Sequence, residues 1–476
     1  MEEHAVTPST LYVDLDGTFT KSDLLFESLI ISIKNNPLIL FLCFFWLLKG
    51  KANLKHQLSQ CADVNTKLLP LNSEFYAFLL DEKTKGRSIV LATASHEKYA
   101  EQICNESDIF DSYISSDINT NLKGQAKLLR IQSENEVFSY AGNSREDFII
   151  FEKCKESYLV NPTRKAKRLA AKSPTSKIFD DSYTSKLVWI KQLRVHQWIK
   201  NVLIFVPLLV TAGFTNLNSI LFASLAFISF SFLASATYII NDLLDLESDR
   251  NHKRKKFRPL AAGTISILHA KLAALILFSA SLYIALNLNS LFAYTLVVYL
   301  VLTLLYSFKI KQYIAMDVIV LACLYTIRII AGAAVLNVPV SFWLLSFSMF
   351  VFFSLALIKR CSELVSKQNQ DDKVVNGRDY NISDYGVLLN FGTSSALLSV
   401  LMFCFYVNNN ILTNQFLAPN LLWLIIPALC YWLMRMWIKT HRGEMHDDPI
   451  IYALKDKGSL ITISFIVFIT VVAQIL

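Results

Sequence analysis

Cysteine is sparse in this sequence, with eight residues in 476. None is spaced as a CxxC or other metal-ligand pair, and Cys323, Cys404 and Cys430 fall inside apolar runs. That excludes a disulfide scaffold and a thiolate metal centre, and reads the cysteines as small apolar fillers in a reducing setting. Charge is also short: 18% of residues are Asp, Glu, Lys or Arg against 53% hydrophobic, too apolar for one ordinary soluble domain. The stretches 211–219, 286–290, 335–341 and 407–420 contain no charged residue at all. The net charge of +8 sits largely in short loops between apolar runs, so it predicts no nucleic-acid partner. No signal-peptide pattern precedes the first strand-like run, which predicts a cytosolic N-terminal domain.

What is present divides the chain in two. Residues 1–162 mix charged and apolar segments as a soluble domain does. Residues 163–186 are polar, with six Lys or Arg before Asp180, and read as a basic linker lying against an anionic membrane surface. Residues 187–476 are mostly apolar runs of membrane-spanning length. Nine spans are expected, at about 198–214, 219–240, 266–286, 290–307, 313–335, 341–358, 386–408, 420–438 and 459–476. The uncharged loops fall on one side and the charged loops on the other. By the positive-inside rule the N-terminus and the charged loops face the cytosol and the C-terminus lies across the membrane.

Two regions carry chemistry. In the first, the β-prone run Thr10–Val13 ends in Asp14-Leu15-Asp16-Gly17-Thr18. A strand that delivers two aspartates two residues apart suits one as nucleophile and the other as general acid/base, with a cation between them. Further strand-like runs end at Thr93-Ala94-Ser95 and at Ala141-Gly142-Asn143-Ser144, with Asp147 beyond; a helix is expected to start near Lys123-Gly124. Within a helical insertion at about 22–85, Pro37–Leu48 is nearly all apolar and is followed by Lys49, Lys51 and Lys55. It is too short to span a bilayer. A buried cap helix and an interfacial segment are the two readings, and the lysines favour the interface.

In the second region, Asn241 to Gly263 reads NDLLDLESDRNHKRKKFRPLAAG. Continuing the preceding helix would line Asn241, Asp245 and Asp249 on one face, with Asp242 beside them. Crowded carboxylates repel unless a cation joins them, and hard oxygen donors beside a basic run suit Mg²⁺ bridging to a diphosphate. Arg258 and its neighbours would hold the remaining phosphate charge. Asp317 and Arg328, inside an apolar run, are costly unless they meet a polar cavity or a partner. Lys309, Lys359 and Arg360 stand at cytosolic helix ends.

These motifs resemble two known families. The four N-terminal pieces, over about 10–162, are similar to the haloacid dehalogenase (HAD) superfamily. That resemblance implies an α/β Rossmann-like domain with a helical cap. It makes Asp14 the phospho-accepting nucleophile and Asp16 the acid/base. Thr93 would bind the phosphoryl group, Lys123 would neutralise it, and Asn143 and Asp147 would join Asp14 and Asp16 as Mg²⁺ ligands. The family usually has Asp where this chain has Asn143, a weaker ligand. The NDxxDxxxD run, the nine spans and Asp317 look like the UbiA superfamily of intramembrane prenyltransferases, an all-α bundle. RPLAAG at 258–263, YSFKIK at 306–311, KRCSEL at 359–364 and RGEMHDDPI at 442–450 look like its decaprenyl-phosphate phosphoribosyltransferase branch.

The expected activity is Mg²⁺-dependent transfer of a 5-phosphoribosyl group from phosphoribosyl diphosphate to a polyprenyl phosphate in a bacterial inner membrane. Asn241, Asp242, Asp245 and Asp249 would hold the metal and Asp317 would assist. Lys309, Arg328, Lys359 and Arg360 would meet phosphates. The HAD domain would then remove the 5-phosphate from the lipid product. Two alternatives are a prenyl diphosphate donor with an aromatic acceptor, and a non-enzymatic lipid-binding or transport protein.

Overall fold

The computed structural model describes residues 9–170, 177–181, 185–368, 379–413, 416–445 and 448–476. The chain forms two compact units, one of residues 1–193 with 239–273 and one of 194–238 with 274–476. The acidic segment thus packs with the N-terminal unit, so the first unit reaches past the sequence boundary expected at 186.

Among the described residues the first unit holds six strands: β1 Thr10–Val13, β2 Ile89–His96, β3 Ser112–Ser116, β4 Phe138–Gly142, β5 Ser157–Val160 and β6 Lys177–Phe179. They pair in parallel in the order β3-β2-β1-β4-β5-β6. Alternation along each strand feeds two cores. Leu11, Val13, Ile89 and Leu91 face one side, while Tyr12, Val90 and Tyr140 face the other. Burial on both faces accounts for the near-continuous apolar strands. The strand order reverses between β1 and β4, and in such sheets a crevice opens beyond the strand C-termini at that point. Asp14 and Asp16 stand there.

The expected basic linker contains structure of its own. Arg164–Ala170 is helical, and β6 adds an edge strand whose Phe179 is fully buried against Phe75 and Phe78. Burial of that one aromatic offsets the polarity that made the segment read as a surface linker. Residues 171–176 and 182–184 of the expected linker lie outside the described residues.

The insertion forms four helices: α1 Leu24–Asn35, α2 Ile39–Leu48, α3 Lys51–Cys61 and α4 Ser73–Thr84. Asp23 caps α1 by accepting from the Leu25 and Phe26 amides. Of α2, only Ile39 is buried, so the buried-cap reading of this segment fails. A buried ion pair between Glu27 of α1 and Arg250 (2.6 Å) joins the insertion to the acidic segment. Truncating one partner strands the other charge in a dry site. Glu27→Ala should therefore destabilise the unit by about 3 kcal/mol, read as a lower midpoint for thermal loss of the sheet signal in detergent.

Among the described residues eight helices are long and apolar enough to cross a membrane: Leu217–Leu244, Ile267–Leu288, Ser290–Phe308, Met316–Leu336, Phe342–Ser366, Ile382–Leu412, Pro419–His441 and Lys457–Ile475. A ninth is reached only if the broken pair Lys186–Gln192 and Val195–Val210 counts as one. The expected span at 198–214 is the one that departs. Arg194 takes a left-handed conformation and Val195–Phe205 winds as a 3₁₀-helix before the short α-helix Val206–Val210, with Pro207 in its first turn. In the second unit Met316–Leu336 is central. Val318, Ala322 and Ile329 pack with Phe352 and Leu355, while Val320, Leu324 and Ile327 pack with Phe230 and Phe292. A Cβ at Gly332 would lie 2.1 Å from the Ile204 carbonyl oxygen, so backbone approach there requires glycine.

Candidate active sites

The crevice beyond β1 is a cavity of about 410 Å³ lined by Asp14, Asp16, Lys55, Ser95 and Lys127 among others. Lys127 Nζ donates to Asp14 Oδ1 (2.7 Å) and to the Tyr140 hydroxyl (3.1 Å). Asp16 Oδ2 accepts from Ser95 Oγ (2.6 Å), and its Oδ1 accepts from the Leu24 amide (2.9 Å). Burial pushes Asp14 up to about 7, against the attraction of Lys127 and with the repulsion of Asp147. Burial, then the charge of Asp23, pushes Asp16 up to about 6. Both carboxylates therefore favour added positive charge or a proton. Gly17 has φ +77°, and a Cβ there would lie 2.0 Å from Asn143 Nδ2; the turn that places the two aspartates needs its glycine.

Three sequence expectations change here. Lys123 borders the cavity, but its amine pairs with Glu146 at 2.6 Å and is half exposed; the lysine on Asp14 is Lys127, one turn into helix Gln125–Glu134. Thr93 is fully buried and accepts from the Ser95 amide (2.9 Å), so Ser95 presents the hydroxyl. Asp147 lines the cavity with both oxygens in use: Tyr140 donates to Oδ1, and Ser144 and the Asn143 amide donate to Oδ2. It organises the loop that carries Asn143. Among the described residues no three His, Cys, Asp or Glu side chains group to hold a metal unaided. The Asp14–Asp16 pair nonetheless fits Mg²⁺, which is commonly held by one or two carboxylates together with substrate phosphate and water.

The acidic segment is built differently from the expected face. Helix Leu217–Leu244 ends at Asp245, and a short helix Leu246–Asn251 follows. The Asp249 amide still donates to the Asp245 carbonyl (2.8 Å) across the break. Asp242 and Asp249 are buried and share Arg258, whose Nη1 lies 3.2 Å from the first and 2.5 Å from the second. Gln192 donates to Asp242 (3.0 Å). Asp245 is more exposed, 4.0 Å from Lys34. Asn241 accepts the Asp245 amide through its carbonyl.

In the second unit Asp317 is fully buried and receives Arg360 Nε (2.6 Å) and the Tyr380 hydroxyl (2.6 Å). Arg360 also reaches Glu363 and Tyr306. Asp317 and Arg328 thus do not share a bond; Arg328 bonds Asn201 (2.9 Å) and lies over the rings of Phe230, Tyr299 and Tyr325. A separate group gathers on Asp448, which takes Lys200 (2.8 Å) and Lys359 (3.3 Å). Those lysines hold the Asp448 carboxyl well below its usual range against the cost of burial. Lys309 is exposed at the end of Ser290–Phe308. Asn376, Gly377, Arg378, His446 and Asp447 of the expected charged loops lie outside the described residues.

The UbiA prenyltransferase family matches residues 202–455, more than half of the chain. The chain belongs to the UbiA prenyltransferase family. Protein y4nM of Sinorhizobium fredii is 36% identical over 465 residues, covering 96% of this chain and 90% of its own. A decaprenyl-phosphate phosphoribosyltransferase of Mycobacterium tuberculosis is 36% identical over 179 residues, 37% of this chain and 59% of that protein. A UbiA homologue of Archaeoglobus fulgidus bound to GPP and Mg²⁺ aligns at 19% identity and TM-score 0.47, over 60% of this chain and 99% of that one.

As a UbiA enzyme the chain is an integral membrane protein, and its acidic segment is the natural place to test the fit of a divalent cation. Asp249 Oδ1 is buried without a hydrogen-bond partner, and the neighbouring donors are hard oxygens. The Lys255 amine stands 3.8 Å from that oxygen, and a buried carboxylate oxygen with no hydrogen bond, beside Asp242, fits Mg²⁺.

Proposed function

We propose that this UbiA enzyme transfers a 5-phosphoribosyl group from phosphoribosyl diphosphate to a polyprenyl phosphate, and that its N-terminal domain is a HAD phosphatase that removes the 5-phosphate from the lipid-linked product. The choice of substrates is supported by the match to a decaprenyl-phosphate phosphoribosyltransferase. The observation that carries the chemistry is the buried pair of Asp242 and Asp249 on Arg258, with Asp249 Oδ1 making no hydrogen bond and lying 3.8 Å from the Lys255 amine.

In the transferase step an oxygen of the acceptor phosphate attacks C1 of the ribose as the bond from C1 to pyrophosphate breaks. No protein nucleophile is required. Asp242 and Asp249, with Asn241 and Asp245 beside them, would hold Mg²⁺, which when bound supplies positive charge against the departing pyrophosphate. Arg258 offers donors to phosphate oxygens from the same place. In the second unit Lys359, with Lys200, is the cation offered to a phosphate. Asp317 holds Arg360 in a fixed orientation and acts as a positioning residue.

In the phosphatase step Asp14 attacks phosphorus, giving an aspartyl phosphate, while Asp16 protonates the departing ribose 5-oxygen. Asp16 then takes a proton from water as the water attacks phosphorus, releasing inorganic phosphate. Lys127 Nζ fixes Asp14 Oδ1 and leaves the other oxygen to attack. Asp14 and Asp16 would hold the Mg²⁺ of this site, and Ser95 keeps Asp16 oriented.

The test is donor use in the presence of Mg²⁺ and polyprenyl phosphate. Pyrophosphate should form from phosphoribosyl diphosphate. Pyrophosphate formed only from a prenyl diphosphate and an aromatic acceptor would move the chain to the aromatic branch, and none from either donor would reject a transferase. For the second step, Lys127→Ala should lower phosphomonoester hydrolysis by about a hundredfold, whereas Lys123→Ala should change it by less than about threefold; equal losses would return Lys123 to the site.

A further inference from the structure

Helix α2 is an anomaly in a soluble domain. Leu40, Phe41, Phe44, Phe45, Leu47 and Leu48 are all exposed, with Phe41 at 70% and Leu48 at 72%. A contiguous apolar surface of this kind marks a partner or a membrane. Three observations within the same compact unit choose the membrane. First, α1, which leads into α2, is tied along its length to the segment joining two membrane-crossing helices. Glu27 pairs with Arg250, Lys34 stands 4.0 Å from Asp245 at the end of Leu217–Leu244, and Phe26 lies 4.0 Å beneath Lys271 near the start of Ile267–Leu288. The chain therefore leaves α1 at the level where spans end. Second, Lys49 and Lys51 follow α2 directly and are exposed, as suits anionic headgroups. Third, Leu47 of α2 and Leu54 of α3 border the cavity that holds Asp14 and Asp16, beside Lys51 and Lys55.

We propose that α2 lies in the cytosolic face of the bilayer with its apolar residues among the acyl chains, and that the cavity beside it takes phosphate monoesters carried on membrane-anchored lipids in preference to soluble ones. The lysines at the mouth meet the phosphate, and Leu47 and Leu54 meet the apolar part that arrives from the lipid side. This substrate class rests on the phosphatase reading above; the insertion of α2 does not.

The test uses the full chain in vesicles of phosphatidylethanolamine and phosphatidylglycerol. A nitroxide placed at Phe44 in a cysteine-free background should collide more with dissolved oxygen than with a water-soluble nickel chelate. The reverse overturns the insertion. Wild type is then compared with Phe41→Ser/Phe44→Ser/Phe45→Ser on a lipid-linked ribosyl 5-phosphate in the same vesicles and on a soluble aryl phosphate. The variant should lose roughly tenfold in kcat/KM on the lipid, the gain that a tethered encounter confers, and nothing on the soluble ester. Equal rates on both substrates for both proteins would overturn the preference. A wild type that inserts α2 yet hydrolyses neither ester would reject the phosphatase reading and the lipid-substrate proposal with it, leaving the insertion standing.

Discussion

Asp14→Asn is expected to stop the second reaction while leaving the first intact. Asp14 is the only carboxylate in the cavity bonded to Lys127 among the described residues, and an amide in its place cannot form an acyl phosphate. Loss of a nucleophile of this kind lowers turnover by at least about 10³-fold. The lipid made by this variant should keep its 5-phosphate and accumulate. The substitution also leaves the buried Lys127 charge without its anion, which destabilises the fold locally. Undiminished pyrophosphate formation by the same preparation shows that the chain has folded. A variant that still releases the 5-phosphate at the normal rate would exclude Asp14 as nucleophile.

Asp249→Asn is expected to give the opposite pattern. Asp249 and Asp242 are both buried and share Arg258, and Asp249 Oδ1 makes no hydrogen bond, with the Lys255 amine 3.8 Å away. Exchanging one oxygen for an amide nitrogen keeps the shape and removes the charge that a hard cation needs. Pyrophosphate formation should fall by about 10³-fold and the Mg²⁺ requirement should rise by about tenfold. Asp245→Asn should cost far less, because Asp245 is more exposed and lies 4.0 Å from its nearest cation. Phosphomonoester hydrolysis by Asp249→Asn should match wild type. If Asp245→Asn were the more damaging change, the helical face first expected from the spacing would describe the site better than the observed pairing of Asp242 with Asp249.

Much of this architecture was legible because local patterns were strong. The β1 run, the strand ending in Ala92-Thr93-Ala94-Ser95-His96 and the strand before Asn143 all formed where alternation and apolar content placed them. Eight apolar runs became helices of spanning length for the same reason. The misreadings arise where spacing along the chain does not report which side chains are buried together. The spacing of Asn241, Asp245 and Asp249 does not show that Asp242 and Asp249 are the buried pair on Arg258 while Asp245 is more exposed. Lys127 was readable in principle: it falls one turn before Ile131 and beside Leu128 on the buried face of its helix, and a lysine on such a face needs an anion. Nothing local announces that Lys200 meets Asp448, because 248 residues separate them. The short run that becomes β6 was hidden by its polar neighbours, and only Phe179 hinted at burial.

The measurement that tests the account most directly follows two labels into one lipid. Phosphoribosyl diphosphate carrying a carbon label in the ribose and a phosphorus label in the 5-phosphate is given to the purified chain with Mg²⁺ and polyprenyl phosphate. Wild type should produce a lipid that keeps the carbon label and sheds the phosphorus label as inorganic phosphate. Asp14→Asn should produce a lipid with both labels, and Asp249→Asn neither. Wild-type lipid that retains both labels would contradict the coupled phosphatase, and lipid with no label would contradict phosphoribosyl transfer itself.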